Sequence, residues 1–112
     1  MNTEPERADP SNRSSREYEV RASNEDRLVR ELRTVPKRDL ARIERDILAL
    51  ATQPRPPGAE KLTGFDIYRI RRGDFRIVYK VYDDERLVLI GTVLRRNERT
   101  YRDPSRLFPQ GT

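Results

Sequence analysis

The stretch IYRIRRGDFRIVYKVYD, residues 67–83, decides the fold. Apolar and charged residues alternate on both sides of Arg72-Gly73-Asp74, the pattern of two strands joined by a tight turn. Tyr68, Ile70, Phe75, Ile77, Tyr79 and Val81 fall on one face. Arg69, Arg71, Arg76 and Lys80 fall on the other, with Ile67 and Val78 between them. A sheet that buries one face and wets the other produces such alternation. Four cations on neighbouring strands nevertheless repel one another unless something negative meets them. The charged face therefore has two readings, solvated surface and polyanion site.

Working outward toward the N-terminus, Tyr18 and Val20 alternate with charges, so residues 17–22 form a short first strand. Ser23 reads as an N-cap, with Asp26 three residues on. Leu28, Val29 and Leu32 then share one side of a helix that runs to Arg33. Val35-Pro36 breaks it, and Pro36 suits the first turn of a second helix. Leu40, Ile43, Ile47 and Leu50 recur there at helical spacing. Two amphipathic helices joined so tightly form a hairpin, and the apolar face of the 67–83 stretch is the surface they cover. Gln53 to Gly58 is a proline-rich loop.

Toward the C-terminus, RLVLIGTVL (86–94) is nearly continuously apolar, as expected of a strand buried on both faces in the middle of a sheet. Gly91 inside it marks a bulge or a close backbone approach. The element order is β-α-α-β-β-β: an α+β fold, an antiparallel sheet with an N-terminal two-helix hairpin packed on one face. Residues 1–16 hold no apolar anchor and read as a disordered tail. Residues 17–102 form the domain. Residues 103–112 read as a second tail, with Leu107-Phe108 as the pair suited to docking.

Charge placement bears on function. Net charge is +5 over 112 residues. Residues 1–16 carry three basic and three acidic groups, 17–66 ten of each, and 103–112 one of each. Residues 67–102 carry ten basic and five acidic groups, so the whole surplus lies there. Such a concentration is the footprint of a polyanion site. The chain has no cysteine and no histidine, which excludes disulfides, thiolate nucleophiles, the usual metal-ligand sets and the usual neutral-pH acid–base group. No metal and no cofactor is expected. No apolar run approaches the ~20 residues that span a membrane, and a cytoplasmic address is expected.

The element order, the KLTG lead-in (Lys61 to Gly64), the run YRIRRGDFRIVYKV (Tyr68 to Val81) and a strand ending in arginines before Tyr101 resemble the RelE/ParE superfamily of toxins from toxin–antitoxin pairs. The resemblance covers residues 17–102. RelE-like members cut messenger RNA in the ribosomal A site; ParE-like members poison DNA gyrase on a similar fold. Both are held inactive by a cognate antitoxin. The RelE-like branch is the favoured one, and it implies mRNA and the ribosome as partners. Its catalytic set is two lysines on the second strand, an arginine on the third, an arginine after the fourth and a late tyrosine. In this chain the lysine pair falls on Arg69 and Arg71, the third-strand arginine on Arg76 and the late arginine on Arg96. Arg95 competes with Arg96 for that role. Tyr101 is the nearest match to the tyrosine.

The resemblance implies attack by a ribose 2′-hydroxyl on its own 3′-phosphate. Arg76, Arg96 and Tyr101 are then the catalytic candidates, and Arg69, Arg71 and Lys80 the substrate-binding ones. Arginine in place of lysine matters: a guanidinium clamps phosphate well but stays protonated and cannot serve as a base. Glu60 is the carboxylate nearest this set in sequence, and pairing with a nearby lysine is its commoner role. Two alternatives stand beside the nuclease: a ParE-like gyrase inhibitor and a non-catalytic polyanion-binding relative.

Overall fold

The computed structural model describes residues 17–62, 66–95 and 104–109. The readings of residues 1–16, Arg96 and Tyr101 lie outside these. In chain order the elements are β1 (Glu19–Ala22), α1 (Glu25–Arg33), α2 (Lys37–Ala49), β2 (Glu60–Lys61), β3 (Ile67–Arg72), β4 (Phe75–Tyr82), β5 (Leu87–Arg95) and a 3₁₀ turn (Pro104–Leu107). The α+β order expected from the sequence is present, with one strand more. Glu60–Lys61 forms a two-residue ladder with Arg69 and Tyr68, too short to show any periodicity.

The sheet order is β1-β5-β4-β3-β2. β2 to β5 run antiparallel, but β1 pairs parallel with β5, Glu19 opposite Leu87 and Ala22 opposite Ile90. The sheet is therefore mixed, where the sequence reading had it antiparallel. Side-chain alternation is the same in either direction, so it carries no trace of strand direction.

The opening hairpin turns on Gly73-Asp74, with Arg72 and Phe75 in register. Gly73 adopts φ +59° and Asp74 stays outside the left-handed region, the distribution of a type II′ turn, which needs glycine at its first central position. At the start of α1 the cap is Asn24, whose side-chain oxygen accepts from the Arg27 N–H at 2.9 Å. Ser23, the expected cap, instead ends the strand: its N–H donates to the Ile90 carbonyl at 2.9 Å.

α1 lies over β5 and α2 over β3. Between helices and sheet, Ile43, Leu50, Tyr68, Phe75, Ile77, Tyr79, Val81, Val88 and Ile90 form the main core, with Leu28, Leu32, Leu40 and Ile47 packed at its margin. The opposite face is only partly wet. Ile67, Val78 and Leu89 form a second core beneath Leu107 and Phe108 of the C-terminal segment. Burying a side chain of this size stabilises by roughly 1.5–3 kcal/mol, so the docked pair anchors the chain end to the sheet. Gly91 makes that docking possible. It sits at the register shift in β5, and a Cβ there would meet Phe108 Cζ at 2.8 Å. The glycine marks both a bulge and a close approach.

Where β1 stops, α1 takes over the exposed edge of β5. Arg27 donates to the Gly91 carbonyl at 2.8 Å. Glu31, one turn later, accepts the Val93 N–H at 2.9 Å and the buried Thr92 hydroxyl at 2.5 Å. Two side chains thus satisfy edge groups that would otherwise template another strand.

Candidate polyanion-binding face

The turn end of the β3–β4 hairpin holds the arginine group. Arg71 and Arg76 are direct cross-strand partners, and Arg69 stands opposite Val78, one step further from the turn on the same face. Arg76 and Arg69 are half-buried and Arg71 is exposed. Rigid strands fix the spacing of the three, and like charges directly opposite one another disfavour the pairing. Among the described residues Arg71 makes no ion pair.

Arg69 is engaged. Both Nε, at 3.2 Å, and Nη2 donate to one carboxylate oxygen of Glu60, its partner on β2. The hydrogen bond and charge of Arg69 hold the Glu60 carboxyl below its ordinary range, and Arg71 and Arg76 add to the effect. Glu60 is therefore paired with an arginine, where the sequence suggested a lysine. A carboxylate held so acidic is a weak base.

The other nominated residues fall elsewhere. Lys80 lies four residues along β4 from Arg76, about 13 Å at strand spacing. Its ammonium sits 4.9 Å from the centre of the Tyr82 ring, beside the second core. Arg95, the competitor of Arg96, covers the Phe75 ring at 5.0 Å and so belongs to the helix side of the sheet. Arg72 is drawn to α2 by two hydrogen bonds to Asp46, at 2.5 and 2.9 Å. Tyr79 is core, as expected: it is fully buried, its hydroxyl donates to the Pro54 carbonyl at 2.7 Å, and burial pushes its pKa up.

A second polar cluster, at the opposite end of the hairpin, was not foreseen. Arg55 forks onto Asp83 at 2.8 and 3.2 Å and donates from Nε to the Tyr68 hydroxyl at 2.7 Å. Tyr18 donates to Asp83 at 2.6 Å. These contacts join the residue before β1, the proline loop, β3 and the β4–β5 turn. The prolines near Arg55 signal a loop but not where that loop lands. The cluster is internally neutralised and reads as a clasp.

Among the described residues no group of three or more acidic side chains is placed to hold a metal. No described helix is long and apolar enough to cross a membrane.

The family model described as the ParE toxin of type II toxin–antitoxin systems, parDE, matches residues 14–100. The chain belongs to the RelE/ParE superfamily of type II toxins. It is 34% identical over 82 residues to RelE1 of Methanocaldococcus jannaschii, named there as a candidate toxin, covering 70% of this chain and 90% of the relative. Two solved structures share its fold. The RelE-RelB complex of Pyrococcus horikoshii matches with TM-score 0.61 and 26% identity, over 73% of this chain and 98% of that one. The toxin-antitoxin complex RelBE2 of Mycobacterium tuberculosis matches with TM-score 0.60 and 26% identity, over 73% and 94%. The RelE/ParE toxin carries its arginine group on the β3–β4 hairpin.

Proposed function

We propose that this toxin is a ribosome-associated messenger-RNA endoribonuclease that inhibits translation in the cytoplasm. The observation that carries the proposal is the clustering of Arg69, Arg71 and Arg76 at one end of one sheet face. Three guanidinium groups on adjacent rigid strands suit a substrate whose every repeat carries a phosphate. In the reaction a ribose 2′-oxygen attacks the adjacent phosphorus and the bond to the 5′-oxygen breaks. A 2′,3′-cyclic phosphate and a free 5′-hydroxyl result, the 2′ proton leaving and a proton reaching the 5′-oxygen. Arg76 and Arg96 stabilise the dianionic phosphorane. Arg69 and Arg71 hold the backbone, Lys80 takes a more distant phosphate, and Tyr101 stacks on a base or relays a proton. Positioning supplies much of the rate, which suits a site with neither histidine nor lysine at its centre.

The partner is a cognate antitoxin. Both solved relatives named above are complexes of toxin with antitoxin, and an exposed basic face needs an acidic cover. A second reading, gyrase inhibition, draws support from the ParE description of the matching family model and from arginine at both expected lysine positions. Inducing the toxin in cells separates the two. Messenger-RNA ends within translated frames support the nuclease. DNA breaks or altered supercoiling with intact messages replace it by the gyrase reading.

A further inference from the structure

We propose that Glu60 is a built-in competitor for phosphate at Arg69, so that the toxin's affinity for RNA is set by displacing its own carboxylate. The inference rests on the polyanion reading of the arginine face.

The geometry favours displacement. Glu60 and Arg69 are direct partners in the β2–β3 ladder, so the carboxylate is delivered to the guanidinium by the backbone itself. Both donors of Arg69 converge on one oxygen of Glu60. The Arg69 side chain is 21% exposed and that of Glu60 52%. The carboxylate is thus the outer member and can swing away without disturbing the sheet. It lies in the combined field of Arg69, Arg71 and Arg76, where a backbone phosphate would come to rest. A phosphodiester carries one negative charge, as the carboxylate does, so exchange leaves Arg69 neutralised throughout.

This arrangement has a measurable signature. Pairing Arg69 with a phosphate releases a cation from the RNA, but the displaced Glu60 carboxylate takes one up in its place, so the exchange is nearly independent of salt. The purified full chain and its Glu60→Gln variant are titrated with a fluorescent single-stranded RNA oligonucleotide over a range of salt concentrations. The variant is expected to bind more tightly at low salt, by roughly twofold to fivefold, the equivalent of an exposed ion pair. Its log–log salt dependence is expected to be steeper by about 0.7, the share of one phosphate contact on a single strand whose released cation no freed carboxylate takes back. Both gains are expected to vanish when Arg69→Gln is added. A carboxylate that merely staples β2 to β3 would change the melting temperature and leave the salt slope alone. Equal affinity and slope in wild type and variant overturn the inference while leaving the polyanion face intact. No RNA binding by either protein overturns both.

Discussion

Arg76 stands across the hairpin from Arg71 and is half-buried at the base of the arginine group. Removing one preorganised stabiliser of a developing oxyanion typically costs about 10²–10³ in rate. Arg76→Ala is expected to abolish growth arrest on induction with thermal unfolding unchanged; retained toxicity would remove Arg76 from the site. Gly91 is set by a different constraint. Its backbone is not left-handed, so the demand for glycine is purely spatial: a methyl group would collide with the Phe108 ring. Gly91→Ala should destabilise by about 1–3 kcal/mol in urea unfolding, the usual range for overpacking. Adding Phe108→Ala should make the glycine change nearly neutral, a coupling that a double-mutant cycle measures. Additive effects would place the strain elsewhere.

The edge of β5 depends on α1 as a substitute strand. Glu31→Ala leaves the Val93 N–H and the buried Thr92 hydroxyl without their acceptor. A loss of about 1–3 kcal/mol is expected, with hydrogen exchange at Val93 accelerated more than at Ile77 in the centre of β4. Uniform exchange across both strands would show that the edge needs no such closure. Elements with strong periodicity were legible in the sequence: the hairpin, both helices and the long apolar strand. Strand direction was not, because the period of two is the same parallel or antiparallel. The second core was half visible, as Ile67 and Val78 stood out among the charges, but its lid lay beyond the last strand, at Leu107 and Phe108. The candidate site divided in the same way. Arg69, Arg71 and Arg76 followed from alternation, whereas Lys80 shares their parity and not their end of the strand. The Glu60–Arg69 contact needed β2, which no pattern announces.

Across the whole molecule, ionisation makes stability flat near neutrality. Hydrogen bonds from Arg55 and Tyr18 hold the Asp83 carboxyl below its ordinary value of 3.8, and Arg69 holds Glu60 below 4.5. A carboxyl depressed in the fold stabilises it above the unfolded value, and that contribution disappears as pH falls through the folded value. Burial raises Tyr79 and Tyr82 above 10.0, and the hydrogen bond to Asp83 raises Tyr18. These groups ionise more readily in the unfolded chain, so stability falls again above pH ~10. With no histidine or cysteine, no side chain of ordinary value titrates between about pH 5 and 9. The melting temperature should therefore vary by less than about 4 °C across that interval, the shift that ~1 kcal/mol produces in a small domain. A step near pH 6.5 in calorimetry would reveal an unrecognised titrating group. The parallel pairing of β1 with β5 has a consequence in time. Glu19 finds its partner only at Leu87, so this ladder must close a longer loop than any other strand pair among the described residues, at the largest entropic cost. A chain still being synthesised cannot assemble this sheet until its final strand has emerged. Without that strand the β3–β4 hairpin and its arginines lack the partner that β5 provides along β4.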